Sequence, residues 1–396
     1  MKTRRRVVAA ALVAMLMVTT VAGCSSKGSS GSATGEGSAE PYRIGAIVSL
    51  SGSYAGLGTP EQKAIEMEMK RINDAGGING RQVEVIFEDD ATDPAKAQAA
   101  VARLLEQENV IAVIGATGTS QTMALRDDID RAGVPQVSMA GGSVITAEFD
   151  KNVFQTPWPN RIVVPFTLKA LKDRGLVNVA VISDTGGYGK DGHDLILKDA
   201  DTAGVKIVAD ETFNPGDTDM TAQLTKIKAA SPDVVLMWNA GKEAAIVAKN
   251  IKQLGMSVPL VGSPGNGRRE FIEGAGDAAE GFRFAAGKIL VPEAYGEGTP
   301  AFEVAQKFIA DYSFAYGVAP DIFAGHAFDA FLVVTDALKR VEGEATPASL
   351  RDAIEATDGL VGVGGTFAYS PEDHNGLTEE ELVFYRVDGA TWVLDK

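Results

Sequence analysis

The chain has very little cysteine or histidine: Cys24 is its one cysteine in 396 residues, and it has three histidines. One cysteine excludes an internal disulfide and a cysteine-ligated metal cluster. His193, His326 and His374 are scattered without the spacing of metal ligands, so each is interpreted as a surface or hydrogen-bonded core histidine. The sequence therefore predicts no metal and no other cofactor.

Basic residues are also scarce, with 37 lysines and arginines against 53 acidic residues and a net charge of −16. Four of the basic residues lie in the first 24 positions, which contain no acids, so the chain without that segment carries −20. A strongly acidic protein is poorly suited to bind nucleic acid or an anionic membrane surface. We therefore predict that neither is a partner.

No enzyme motif is present. Gly187 to Asp191 faintly resembles a phosphate-binding loop, but Asp184 replaces its first glycine and Asp191 its final hydroxyl residue. The Gly-x-Ser-x-Gly elbow of hydrolases is absent. The acidic run 88–90 lacks the spaced ligands of a Ca²⁺ loop, so it is interpreted as a solvated strand end. These absences favour a binding protein over an enzyme.

Residues 1–24 have the pattern of an export signal. A basic head precedes the apolar stretch 7–20, which is too short to span a membrane comfortably, and small residues stand directly before Cys24. This pattern resembles a bacterial lipobox, which implies cleavage before Cys24 and its lipidation. Residues 25–40 are mostly Ser, Gly and Ala, which cannot join a core, and they are expected to form a flexible tether.

From residue 41 onward, short apolar runs alternate with amphipathic segments. The first strands are expected at 42–49, 83–87 and 110–114, each followed by a turn and a helix. Thr59, Pro60 and Gln62 form the pattern of a capping box, so Thr59 is expected to cap the first helix. Strands and helices that alternate over short connections indicate a doubly wound parallel sheet.

A second series of the same kind runs from residue 160 to 261, and at 396 residues two lobes are expected. The order then changes to a strand at 282–286, three helices near 300–316, 321–341 and 348–357, and a terminal hairpin with Asp388-Gly389 at its turn. Neither lobe is therefore expected to be contiguous in the chain.

Several motifs resemble those of the type I periplasmic solute-binding proteins of ABC importers, in particular the leucine/isoleucine/valine-binding branch. The similarity covers about residues 42 to 396, and its most specific pieces are 51–55, 73–81, 88–94, 184–189, 216–219 and 327–330. The resemblance implies an α/β fold of two doubly wound parallel-sheet lobes, joined by three crossovers near residues 158, 287 and 372. Lobe 1 would comprise 41–158 and 288–372, lobe 2 would comprise 159–287 and 373–396, and both would close on a ligand in the cleft.

The resemblance also implies which residues meet the ligand. Its carboxylate would bind Thr119 and Ser120 at the start of a helix, where free N–H groups favour anions. The other implied contacts are Tyr54, Ala140, Gly141, Gly142, Ser143, Tyr188, Trp238, Ala240, Glu243 and Pro264. Helix capping is the alternative role for Thr119 and Ser120, packing for Trp158 and Trp238, and helix-dipole stabilisation for Glu243.

Pro264 stands where amino-acid-binding members of the family carry the acid that pairs with the ligand's ammonium. Proline offers neither charge nor an N–H donor. Either a nearby acid, Asp184, Asp219 or Glu243, serves instead, or the ligand has no ammonium. The predicted ligand is a branched-chain or related small amino acid. An aromatic or aliphatic carboxylate, an amide or a urea is the alternative.

The resemblance implies one protein partner, the membrane permease of an ABC importer. The chain is expected to be a monomer, held by lipid on Cys24 at the extracytoplasmic face of the bacterial cytoplasmic membrane. A ligand sensor that reports to a membrane receptor is the remaining alternative, because the same two-lobed fold serves sensing as well as transport.

Overall fold

The structure, a computed structural model, describes residues 40–148 and 150–395. The predicted export signal, Cys24 and residues 25–39 of the predicted tether lie outside these residues. In the part of the chain that is described, no helix has both the length and the apolar character needed to cross a membrane.

The first sheet is entirely parallel, with strand order β2-β1-β3-β4-β5. Its strands are β1 (Tyr42–Val48), β2 (Val83–Asp89), β3 (Ala112–Gly115), β4 (Gln136–Ser138) and β5 (Val153–Gln155). The helices that follow the first four strands are α1 (Ala55–Asp74), α2 (Pro94–Glu106), α3 (Thr119–Ala132) and α4 (Val144–Ala147).

Both faces of this sheet are buried. Ile44 and Val48 of β1 pack into the cluster that includes α1, whereas Ile47, which points the other way, packs into the cluster of α2 and α3. Successive side chains of a strand point to opposite faces, so a strand covered on both sides must be apolar throughout. This is why β3 has no polar side chain and is buried along its whole length.

The second series builds a second sheet. Its parallel strands are β6 (Asn178–Asp184), β7 (Lys206–Phe213), β8 (Val234–Trp238), β9 (Leu260–Gly262) and β10 (Arg283–Ala286). Its helices are α5 (Asn160–Asp173), α6 (Gly187–Ala203), α7 (Thr221–Ala229), α8 (Glu243–Gln253) and α9 (Arg269–Ala275).

The late helices return to the first sheet. They are α10 (Pro300–Tyr316), α11 (Ile322–Arg340) and α12 (Pro347–Glu355), and the short strands β11 (Leu360–Val361) and β12 (Thr366–Phe367) follow. Helix α11 packs against α1, β3 and β4, and α10 also touches α1.

The terminal hairpin closes the second sheet. Strands β13 (Val383–Asp388) and β14 (Thr391–Leu394) add antiparallel to β10, so this sheet is mixed at one edge. The turn lies one residue later than expected: Asp388 pairs with Thr391, and the left-handed residues are Gly389 and Ala390, with φ of 58° and 66°. Two consecutive positive φ angles match the twist of a tight hairpin. We call the first sheet with its helices the first lobe, and the second sheet with its helices the second lobe.

The start of α1 differs from the expectation. The helix begins at Ala55 after a 3-10 turn at Gly52–Tyr54, and Pro60 lies inside it, so Thr59 caps nothing. The reason is a close backbone approach, because a Cβ on Gly58 would lie 2.2 Å from the carbonyl oxygen of Ser49. Glycine at position 58 lets the first turn of α1 pack directly on the end of β1. A helix that began at a capping box on Thr59 would not require this contact.

We predict opposite outcomes for two neighbouring alanine substitutions. Gly58→Ala should lower the free energy of unfolding by about 1–3 kcal/mol, since the new methyl group meets rigid backbone. Thr59→Ala is the matched control and should cost nothing, because alanine is the better residue inside a helix. Urea unfolding of both variants measures this, and a loss of about 1 kcal/mol in Thr59→Ala would restore the capping role.

Candidate ligand-binding site

A cavity lies where the carboxyl ends of the strands of the two sheets meet, which is the usual ligand position of open α/β sheets. The lining comes from the turns after β1, β3, β4, β5, β6, β8, β9 and β10, from the start of α11 and from the loop between β11 and β12.

Seven of the residues implied by the resemblance line this cavity, and five do not. The lining residues are Tyr54, Thr119, Ala140, Gly141, Tyr188, Ala240 and Pro264. The residues outside the lining are Ser120, Gly142, Ser143, Trp238 and Glu243.

Two serines outside the lining bond across the cleft instead. Ser120 Oγ accepts a hydrogen bond from the backbone N–H of Gly187, 3.0 Å away on the second lobe. The N–H of Ser143 donates to Asp191 at 2.8 Å, and its Oγ accepts from the N–H of Arg161 at 2.6 Å. These bonds connect the two lobes beside the cavity.

Asn160, which sequence reasoning missed, joins several walls of the site. It is fully buried, and its side-chain amide donates to Asp191 at 2.8 Å and to the carbonyl oxygen of Tyr188 at 3.2 Å. Its oxygen accepts from the indole N–H of Trp238 at 3.0 Å, and its own N–H donates to Gly141. Trp238 therefore supports the cavity from behind. The one sequence signal was an amide residue directly after Pro159 at a helix start.

Thr119 is a polar group of the first lobe that lines the cavity. The N-cap residue of α3 is Gly118, and no side chain caps this helix, so the capping alternative does not describe Thr119. Its Oγ1 is buried and has no hydrogen-bond partner among the described residues. Gly142 permits this placement, because a Cβ there would lie 2.3 Å from the methyl group of Thr119. A buried hydroxyl without a partner is costly unless a ligand supplies one.

Among the described residues, the lining contains no Asp, Glu, Lys or Arg. Asp184 is buried behind it and accepts from the N–H of Gly186 at 2.7 Å, and burial raises the pKa of Asp184 to about 7. Glu243 accepts from the N–H of Gly216 at 2.7 Å, and Asp219 is exposed and binds Thr221. All three acids thus have local partners outside the cavity.

His326 also lines the cavity. Its Nδ1 is buried and has no partner in the described part of the chain, which makes the interpretation as a surface or hydrogen-bonded core histidine wrong here. Burial lowers the pKa of His326 to about 3, so the imidazole is neutral near pH 7. That interpretation suits the other two histidines: His193 lies 2.7 Å from Asp210, and His374 lies 3.1 Å from Glu355.

Trp158 lies where the chain crosses between the lobes. It lines the cavity, and its indole N–H donates to the carbonyl oxygen of Thr378 at 3.0 Å. A Cβ on Gly287 would lie 2.2 Å from its ring and one on Gly364 would lie 3.7 Å away. One aromatic ring therefore contacts all three regions in which the chain passes between lobes, and it is both lining and hinge packing.

The acidic run 88–90 positions the turn that carries Tyr54. Asp89 accepts from the N–H of Leu50 at 2.9 Å. Asp90 is fully buried and accepts from the hydroxyl of Ser49 at 2.6 Å and from the N–H of Thr92, so it is not the solvated strand end that was expected. Across the described residues, no cluster of three or more His, Cys, Asp or Glu side chains could hold a metal ion.

Replacement of Asp184 should change how stability depends on pH. The folded chain holds this proton up to about pH 7, and the ordinary carboxyl pKa is 3.8, so Asp184 contributes stability at low pH that is lost as pH rises from about 4 to 7. Asp184→Asn should therefore flatten the stability curve in that interval, as measured by urea unfolding.

Asp219→Asn is the control of opposite sign. Its hydrogen bonds with Thr221 lower the pKa of Asp219, so it contributes stability that is lost as pH falls through the folded pKa. A pH dependence identical in wild type and Asp184→Asn between pH 4 and 7 would contradict the assignment.

Known proteins similar to this chain share both its sequence pattern and its fold. Residues 41–391 match the family described as periplasmic binding protein. A Leu/Ile/Val-binding protein homolog 3 from Brucella melitensis is 27% identical, over 83% of this chain and 86% of the relative. A leucine-, isoleucine-, valine-, threonine- and alanine-binding protein from Pseudomonas aeruginosa is 28% identical, over 80% of this chain and 83% of the relative.

Solved structures give the same result. An extracellular ligand-binding receptor from Rhodopseudomonas palustris HaA2 superimposes with a TM-score of 0.84 and 27% identity, covering 90% of this chain and 99% of that structure. The branched-chain amino acid transporter substrate-binding protein LivJ from Streptococcus pneumoniae, in complex with isoleucine, gives 0.78 and 26%, covering 90% and 100%. The predicted α/β architecture and the resemblance are thereby confirmed. The chain belongs to the periplasmic binding protein family, whose members are extracytoplasmic solute-binding proteins and not enzymes.

Proposed function

We propose that this chain is the solute receptor of an ABC importer and that it binds a small carboxylate-bearing solute between two closing lobes. The proposed lobes are 41–158 with 288–372, and 159–287 with 373–396. The observation that carries the proposal is the unpartnered hydroxyl of Thr119 at the start of α3, in a cavity that both lobes line. The free N–H groups of the helix start and this hydroxyl together suit a carboxylate.

A branched-chain or related small amino acid is the first candidate ligand. The named relatives bind such amino acids, and one related structure holds isoleucine. The cavity offers aliphatic surface for the side chain at Leu57, Ile289, Ile322 and Val363. In the absence of a lining carboxylate, the ammonium would lie against the rings of Tyr54 and Tyr188, which attract cations through their faces.

A ligand without an ammonium is the second candidate, and the uncharged lining favours it. A buried ammonium that lacks a carboxylate partner is expensive, and Asp184, Asp219 and Glu243 are all engaged outside the cavity. A short aliphatic or aromatic carboxylate would keep the contact with Thr119 and avoid that cost. An amide or urea would use the same hydroxyl.

A thermal-shift panel on protein that lacks residues 1–40 separates the candidates. Leucine, isoleucine and valine should each be compared with the 2-keto acid of the same carbon skeleton, because the two differ mainly in the ammonium. A ligand present at 100 times its dissociation constant adds about 2.7 kcal/mol to the free energy of unfolding, which raises the melting temperature measurably. Shifts with the keto acids alone would reject the amino-acid candidate, and shifts with the amino acids alone would reject the other.

Thr119→Val tests the contact itself. Valine keeps the shape and removes the hydroxyl, so affinity for a ligand found in the panel should fall by roughly 1.5–3 kcal/mol while the ligand-free melting temperature holds or rises. Ser120→Ala is the matched control: it removes the bond to Gly187 and should reduce affinity less. An unchanged affinity in Thr119→Val would show that the hydroxyl does not touch the ligand.

The proposed partner is the importer's permease, and the proposed place is the outer face of the cytoplasmic membrane, where a monomer is held by lipid on Cys24. Two or more acyl chains give stable attachment, whereas one does not. Labelled fatty acid should enter the full chain and not Cys24→Ala, and equal labelling would refute the anchor. If cells that lack this protein lose a chemotactic or signalling response but keep their solute uptake, the protein is a ligand sensor and the transport function is refuted.

A further inference from the structure

We propose that His326 is a specificity-determining residue of the cavity, which binds an uncharged hydrogen-bonding group on the ligand distinct from the carboxylate end. This inference rests on the proposed function and narrows its ligand. A purely aliphatic side chain leaves His326 without a partner, so the preferred solute carries a hydroxyl, carbonyl or amide in addition to the group at Thr119.

The surroundings of His326 provide no protein partner for its ring. The residue lies on the first turns of α11, beside Phe323, whose ring it meets edge-on with 5.6 Å between centroids. The nearest lining residues along the chain are Gly325 and Phe323, followed by Ile322, and Val363 and Gly364 also line the cavity. Thr156 donates to the backbone carbonyl oxygen of His326 and leaves the ring unbonded.

Burial without a partner indicates a ligand contact because it is otherwise unfavourable. Nδ1 is buried and unbonded within residues 40–148 and 150–395, while part of the residue remains open to the cavity. A neutral imidazole carries one N–H donor and one acceptor nitrogen. His326 can therefore match either a donor or an acceptor, and as a neutral group it needs no charged partner.

Two buried polar atoms without partners in the cavity lining indicate a ligand with two polar groups. Thr119 Oγ1 and His326 Nδ1 are the unpartnered buried atoms that belong to lining residues in the described chain. Both belong to the first lobe, whereas the second lobe contributes Tyr188, Ala240, Pro264, Gly265 and Ala286. The two buried atoms that lack a partner therefore both lie on the first lobe, and the ligand's two polar groups are expected to bind there.

The test compares solutes of nearly equal shape. Dissociation constants of wild type are measured for threonine and valine, and for 4-hydroxybenzoate and 4-methylbenzoate, so that each pair exchanges a hydroxyl for a methyl group. In the pair that binds, the hydroxyl member should bind roughly tenfold more tightly, as expected for a buried polar group that gains a partner. His326→Leu should abolish that preference, and His326→Gln should keep part of it.

A second measurement needs no ligand. Because His326→Leu removes an unpartnered buried nitrogen, the ligand-free variant should melt at or above the wild-type temperature. His193→Leu is the control outside the cavity, and it should leave solute preference unchanged because His193 bonds Asp210. A lower melting temperature for His326→Leu, or a hydroxyl preference that survives in it, would overturn the proposal.

The role of His326 and the solute-receptor function can be refuted independently of each other. If valine or 4-methylbenzoate binds wild type as tightly as its hydroxyl partner, the role of His326 is refuted and the solute-receptor function stands. If none of the four solutes binds, the proposed ligand classes fail, and the ligand-free melting temperature of His326→Leu decides alone whether the histidine is a packing residue.

Discussion

The site depends on one physical constraint: polar atoms are buried without partners in a cavity whose lining carries no charged side chain. Thr119 Oγ1 and His326 Nδ1 both have this character. Leaving such a group unsatisfied costs about 1–3 kcal/mol, and a ligand that enters the cavity and supplies the missing bonds removes this cost. A ligand that binds the closed form selectively shifts the lobes toward it, and the shift is limited by that difference in affinity.

The fold creates this constraint at the ends of its strands. Each cavity wall except that of α11 follows a β-strand, so the two sheets place their carboxyl ends against the same space. Bonds across the cleft then fix the walls: Ser120 meets Gly187, Ser143 meets Asp191, and Asn160 connects four partners. In the described residues, these contacts between the lobes are thus made mainly by residues outside the cavity lining.

Sequence reasoning located the parts of the site that follow a strand locally. The family resemblance implied Thr119, Tyr54 and Tyr188, which stand at strand-to-helix turns, and all three line the cavity. Contacts between segments that are far apart in the sequence produce no local sequence pattern. His326 lies in the middle of a helical pattern, and Asn160 acts on Trp238, 78 residues away. Tertiary contact decides their roles.

The difference between local sequence patterns and tertiary contacts also explains two predictions that were wrong, at Thr59 and at Asp90. Residues 59–62 have the residue types of a capping box. However, the contact of Gly58 with Ser49, nine residues earlier in the chain, determines where α1 begins. Asp90 belongs to an acidic run that suggested solvation, yet Ser49 and Thr92 bond it in the interior. In both places, contacts in the folded protein outweighed the local preference of the sequence. Local propensity alone does not predict such positions.

The crystal structure of the chain with the solute that gives the largest thermal shift tests the central claim most directly. We predict a ligand oxygen at 2.7–3.2 Å from Thr119 Oγ1, with the hydrogen bond between Ser120 and Gly187 retained between the lobes. A ligand whose polar groups bind only the second lobe, or whose ammonium pairs with Asp184 or Glu243, would contradict it.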